Sequence, residues 1–128
     1  MKRVLLAGLL FGLAACGRST PHDKLVEAIK TIHSWTATAR MVGEAWQQGS
    51  VPDPYAQQTL TKSQHEIDQA IQQLSSPPAL FQQVQQAIQA ETQNVEQGNK
   101  AAIATSLKTI SAQQQQLKAM AEAEGAQL

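Results

Sequence analysis

Four stretches of this chain carry inward-type residues at alternating steps of four and three, and that repeat constrains the fold more than any other feature. The first runs Leu25, Ile29, Ile32, Thr36, Ala39, Gly43 and Trp46, with Val26, Trp35 and Val42 widening the stripe. The second runs Leu60, Gln64, Ile67, Ile71 and Leu74. The third is Phe81, Val84, Ile88, Glu91 and Val95, with Leu80 and Ala87 beside it, and the fourth is Ile103, Leu107, Ile110, Gln114, Leu117 and Ala121. Residues so spaced share one face of an α-helix and form the seam that a bundle helix turns towards its neighbours. No stretch alternates with period two, so no strand is expected.

The segments between the seams hold helix-stopping and helix-starting residues. Thr20 can cap a first helix, with Pro21 at its first position and Asp23 three residues after the cap. Gly49 supplies a stop, and in the turn Val51-Pro52-Asp53-Pro54 the sequence predicts that Asp53 caps a second helix that begins at Pro54. Ser75-Ser76-Pro77-Pro78 ends the second helix and starts the third, since proline is tolerated in a first turn and not in an interior. Gly98-Asn99 stops the third and caps the fourth, and Glu122 and Glu124 precede a frayed end.

The spacing therefore predicts helices over about 21–48, 54–75, 77–97 and 100–123. Short connections make consecutive helices antiparallel neighbours, so the expected fold is all-α, an antiparallel up-down-up-down four-helix bundle over residues 20–128. Many alanines and few aromatics leave a thin core. The alternative is an extended pair of helical hairpins that completes its core as a homodimer.

Glutamine is unusually frequent, with twenty copies. Interleaved with regularly spaced apolar side chains, these glutamines read as the wet faces of helices, for which Gln is a good former. The first fifteen residues have a different plan. Lys2 and Arg3 make a basic head, Val4 to Ala15 is an apolar run with five leucines and Phe11, and Ala14 and Ala15 close it with small side chains. This is the layout of a secretory signal peptide. As a helix the run would rise only about 18 Å, too short for a hydrocarbon core of about 30 Å.

At Leu13-Ala14-Ala15-Cys16 the segment resembles the lipobox of bacterial lipoproteins, in which the cysteine sulfur receives a diacylglycerol and cleavage leaves that cysteine first in the mature chain. The resemblance implies that residues 1–15 are a cleaved signal peptide, that Cys16 carries the covalent diacylglycerol and an N-acyl lipid, and that 16–19 form a short tether. It also implies an extracytoplasmic protein anchored to a bacterial membrane. Gly17 stands where an aspartate would retain a lipoprotein at the inner membrane in enteric bacteria, so the periplasmic face of the outer membrane is preferred. An ordinary secreted protein with an idle thiol is the alternative, although an unpaired cysteine in an exported chain asks for a purpose. Only Gly17-Arg18-Ser19-Thr20 would separate the lipid from the first helix, so a partner close to the bilayer is favoured.

Removing residues 1–15 leaves 113 of the 128 residues, enough for one small domain. Lys2 and Arg3 leave with the signal, so ten acidic side chains face eight basic ones. That argues against nucleic acid, which wants a basic face. Cys16 is the one cysteine, so no disulfide or thiolate metal site holds the domain.

Each seam has a polar residue near its middle: Thr36, Gln64, Glu91 and Gln114. Reflecting positions through the turns brings Thr36, Gln64, Glu91 and Ser106 to nearly one level, while Gln114 falls about two turns away. Those four could make a polar layer that fixes register. They could instead make a small polar ligand site with Glu91 as its charge and Arg40 as counter-ion. A buried Glu91 without a partner should have its pKa raised.

Other chemistry finds no pattern. A di-metal carboxylate bundle wants Glu-x-x-His on two helices, but Lys30 precedes His33 and Lys62 precedes His65 at that spacing. His65-Glu66 lacks the second histidine of a zinc-protease helix, and His22, His33 and His65 read as surface or boundary residues, so no metal is expected. Neither a Gly-x-Ser-x-Gly elbow nor a glycine-rich phosphate loop occurs. Trp46, Val51 and Tyr55 gather at the first turn, where they either close the bundle end or form a recognition patch opposite the anchor. The sequence therefore points to a non-enzymatic, membrane-anchored helical module for another envelope protein. A bundle that buffers or senses a small molecule or metal outside the cytoplasm is the alternative.

Overall fold

The computed structural model describes residues 20–128. The signal segment, the lipobox with Cys16 and the tether at 16–19 lie outside the described residues. Within those described, the chain forms α1 (Pro21–Gln47), α2 (Asp53–Gln72), α3 (Ala79–Glu96) and α4 (Lys100–Ala123), with no strand.

Local chemistry sets most of the helix ends. At the start of α1 the Thr20 hydroxyl accepts from the Asp23 amide at 3.0 Å, and the Asp23 carboxylate accepts from the Thr20 amide at 3.4 Å, which closes a capping box. The Asn99 side chain accepts from the Ala102 amide at 3.1 Å and caps α4. Helices α1 and α3 end in the same way. Gly49 and Gly98 take the left-handed conformation with φ of 77° and 66°, and the next amide reaches back five residues, Ser50 to Ala45 and Asn99 to Asn94, each at 2.8 Å. A residue with a Cβ would be strained at either position.

Around the prolines the structure departs from the sequence-based boundaries. Helix α2 ends at Gln72, short of 75, and α3 starts at Ala79 with Pro78 in the cap position. Each proline pushes its predecessor into extended backbone, so Ser76 and Pro77 cannot join either helix. At the start of α2, Pro52 occupies the cap and Asp53 is the first helical residue, with no side-chain cap bond. The Asp53 carboxylate is spent elsewhere: Oδ1 accepts from the Trp46 indole Nε1 at 2.7 Å, which ties the end of α1 to the start of α2. Lys100 brings in α4, its Nζ lying 5.4 Å from the centroid of the Trp46 ring.

Each helix packs on two neighbours, α1 on α2 and α4, and α3 on α2 and α4, while α1 also meets α3 across the centre. Since α1 packs on α4, the ring closes within one chain and the open pair of hairpins is not adopted. The seams land in the core: Ile29, Ile32, Leu60, Ile67, Phe81, Ile88, Ile103, Ile110 and Leu117 are fully buried. In α4 the inward polar residue is Gln113, at 7% exposure, and not Gln114, which is half-buried. Steps of three then four from Ile110 reach Leu117 as well as steps of four then three do. The tie is settled by the backbone carbonyl of Gln83 on α3, which accepts from Gln113 Nε2 at 3.2 Å. Among the described residues no helix is long and apolar enough to cross a membrane.

The indole–carboxylate bond is the most exposed to test of these links. Replacing Asp53 with Ala should lower stability by about 1.5–3 kcal/mol, the range for a hydrogen bond to a charged group, read from urea unfolding of the full chain. An unchanged midpoint would show that the link carries nothing.

Candidate functional site

The centre of the bundle contains one ionisable side chain. Glu91 lies on the α3 seam with 0% exposure, and neither carboxyl oxygen has a hydrogen-bond partner. It points across the diagonal to α1, where Gly43 leaves room for it. A Cβ at position 43 would overlap Oε1 of Glu91 and lie 2.9 Å from Cδ2 of Leu107 on α4. Glycine inside a helix costs about 1 kcal/mol relative to alanine, so its presence here answers a need for space.

Burial raises the pKa of Glu91 from its ordinary 4.5 to about 8, and the negative charge of Glu44 on α1 adds to the rise. At neutral pH the group is therefore mostly the uncharged acid. An ionised carboxylate without donors in such a place would be costly, and holding the proton is the cheaper state.

The buried hydroxyls are satisfied inside their own helices. Thr36 donates to the Ile32 carbonyl at 2.6 Å, Ser63 to Thr59 at 2.9 Å and Thr92 to Ile88 at 2.8 Å. Of the four residues expected at one level, Gln64 and Ser106 are tied to the neighbours of Glu91. Gln64 Nε2 donates to Thr92 Oγ1 at 3.0 Å, and Asn94 Nδ2 donates to Ser106 Oγ at 3.0 Å. Thr36 makes no bond to any of them. Arg40 is not the counter-ion of Glu91: its Nε lies 3.8 Å from Glu44 Oε1 and is itself buried without an acceptor. The four residues thus share a region of the bundle without forming one bonded layer.

Three surface clefts run between helices, and Glu91 lines none of them. One of them, about 450 Å³, lies between α2 and α3 against Gln64, Asp68, Gln82, Gln85, Gln86 and Gln89, and is bridged where Gln85 Nε2 donates to Asp68 Oδ1 at 2.6 Å. The aromatic group at the first turn is divided. Trp46 is 1% exposed, with its indole bonded to Asp53, and Val51 is half-buried against the core, whereas Tyr55 is 54% exposed. Trp46 therefore closes the bundle end, and only Tyr55 presents a ring to solvent.

The histidines are peripheral. His22 Nε2 lies 3.2 Å from Glu124 Oε2 and 3.1 Å from the Glu124 carbonyl, and joins the start of α1 to the end of α4. His33 is half-buried and its pKa is lowered, by burial first and then by the charges of Lys118 and Arg40. His65 is exposed. Among the described residues no group of three or more His, Cys, Asp or Glu side chains is placed to hold a metal ion.

Sequence reasoning passed over Gly43 as a site residue, although a glycine on a helix seam signals a close approach. It also passed over Thr92, the buried hydroxyl that receives Gln64. Comparison with protein-family models, with curated proteins and with solved structures gives no match.

Two results should follow from the buried acid. The folded chain keeps the Glu91 proton up to about pH 8, while the unfolded chain loses it near pH 4.5, so the folded state binds the extra proton between these values. Stability should therefore fall as pH rises from about 4.5 to about 8 and then level off, with a loss of order 3 kcal/mol already present at pH 7. In Glu91→Gln, neutral throughout, unfolding midpoints measured across this range should lose that slope, and an unaltered slope would assign it to other groups. Separately, Gly43→Ala should cost about 1–3 kcal/mol as an overpacked site. The same substitution should cost clearly less in a Glu91→Ala background, because the two residues share one space.

Proposed function

We propose that this chain is a non-enzymatic envelope lipoprotein: a four-helix bundle held to a bacterial membrane by acyl chains on Cys16, serving as a binding or assembly module for another envelope protein. The observation that carries the proposal is the order and spacing of basic head, apolar run and Leu13-Ala14-Ala15-Cys16. One acyl chain binds a membrane marginally, whereas two or more hold a soluble domain there. Gly17 after the cysteine favours the outer membrane.

The shape of the bundle supports a module that works by contact. Its core is closed, and the buried acid is not reached by any of the three clefts. Two exposed large apolar side chains, Met41 at 64% and Tyr55 at 54%, lie towards the end where α1 finishes and α2 begins. The tether joins at Thr20, the other end of α1. A helix of 27 residues is about 40 Å long, so an anchor at Cys16 leaves these side chains on the half of the bundle far from the tether. The glutamine-lined cleft between α2 and α3 favours the second reading, a bundle that takes up a small polar ligand.

Anchoring is tested by Cys16→Ser. In cells the wild-type chain should take up labelled palmitate and sediment with membranes, while the variant should be unlabelled, with unchanged helicity, in the soluble fraction. A variant that still sediments and still carries label would sink the proposal. The contact role is tested by Tyr55→Lys, which should abolish cross-linking to an envelope partner without loss of helix signal. Loss of both together would instead assign Tyr55 to folding.

A further inference from the structure

On facing helices, a partly exposed arginine and a buried carboxyl each hold a buried polar atom without a hydrogen-bond partner. On α1, Arg40 approaches Glu44 only to 3.8 Å, beyond hydrogen-bond range, and its Nε is buried with no acceptor. On α3, both oxygens of Glu91 are buried with no donor, and the carboxyl lies against Gly43 of α1. Arg40 precedes Gly43 by three residues. Residues at that spacing are neighbours on one helix face, about 5–6 Å apart, a gap that an arginine side chain covers.

We propose that Arg40 exchanges partners: it stays with Glu44 while Glu91 carries its proton, and turns inward to bind the Glu91 carboxylate when that proton leaves. The proton passes to solvent, and the exchange replaces one ion pair by another within the same chain. Glu44 remains on the surface.

The neighbourhood of Glu91 leaves Arg40 as the cation suited to this role. On α1 the charged groups near Gly43 are Arg40 and Glu44, and Glu44 opposes ionisation of Glu91. From α2 comes Gln64, whose amide already donates to Thr92, while Lys62 lies exposed, with Nζ 5.9 Å from the Trp35 ring centroid. From α4 comes Leu107, and the adjacent Lys108 is exposed. On α3 itself, Glu96 is exposed and carries the wrong sign. A bare carboxylate at this position is costly, and a guanidinium supplies the paired donors that offset the cost.

The exchange would alter the outer face of α1. Met41, the most exposed of the large apolar side chains, sits in the chain beside Arg40 and three residues before Glu44. With Glu91 protonated, this exposed methionine is flanked by a loosely paired arginine and glutamate. With Glu91 ionised, Glu44 is left without its cation, and any contact made there becomes sensitive to pH. The device needs only the folded bundle and does not depend on acylation of Cys16.

The test is a pH titration of the full chain by nuclear magnetic resonance, following the side-chain carboxyl carbon of Glu91 and the Nε–Hε group of Arg40. The two signals should titrate with one midpoint, and the Arg40 signal should stay flat in Glu91→Gln. Arg40→Met should move the Glu91 midpoint upward by about one pH unit, whereas Arg40→Lys, which keeps a cation, should restore most of the difference. An Arg40 signal that stays flat while wild-type Glu91 titrates overturns the exchange. So does an Arg40 transition that persists in Glu91→Gln, and so does a Glu91 midpoint unmoved by Arg40→Met.

Discussion

The bundle depends on the mutual burial of four apolar stripes, because the described chain contains no disulfide or strand that could hold the helices together otherwise. Fully burying one leucine- or isoleucine-sized side chain contributes about 1.5–3 kcal/mol, and such side chains recur along every helix, from Ile29 and Ile32 to Ile110 and Leu117. This is the scale against which the polar interior must be judged. At neutral pH the penalty for Glu91 is of the same order as the gain from one core side chain, so the fold can carry it. A second unpaired charge of that kind would begin to threaten a core this lean in aromatics.

The same burial explains why Gly43 and Glu91 meet. Helices α1 and α3 are diagonal partners, and a diagonal contact in a four-helix ring needs a small residue on one side or a long one on the other. Here both conditions hold, with Gly43 as the notch and Glu91 as the side chain that fills it. The carboxyl thus acts as a space-filling group whose charge is suppressed by its surroundings. Its proton is part of the packing, so the core stability of this chain should depend on pH. Hydroxyls in the same interior behave differently, because Thr36, Ser63 and Thr92 can each return a bond to their own helix and Glu91 cannot.

Much of the architecture was legible from residues alone. The 4-3 spacing identified four seams, and nearly every seam residue is buried, since a helix with one apolar face has only one stable way to turn it in water. Thr20 with Asp23, Gly49, and Gly98 with Asn99 marked helix ends correctly, because caps and left-handed glycines act through bonds within a few residues of themselves. Helix ends at the prolines were misjudged by one to three residues. Pro52 and Pro78 took the cap positions, and Asp53 gave up capping for a bond to Trp46 that no local rule contains. Likewise, Gln113 and Gln114 are equally good seam residues by period, and a carbonyl on another helix chose between them.

The candidate site was less legible than the fold. Placing Thr36, Gln64, Glu91 and Ser106 at one level needed only helix rise and turn length, but whether they bond depends on helix rotation, which those quantities leave open. Sequence by itself determined that this chain is an all-helical bundle, that its helices follow one another antiparallel, and that its first residues resemble a lipoprotein signal ending at Cys16. Tertiary structure decided that Glu91 is sealed against Gly43, that Arg40 lies with Glu44 and not with Glu91, and that Trp46 is a bundle closure while Tyr55 faces solvent. The reason is physical: periodicity, caps and turns act over a few residues, whereas the surroundings and protonation state of buried Glu91 are set by groups far away in the chain, such as Gly43 and Glu44.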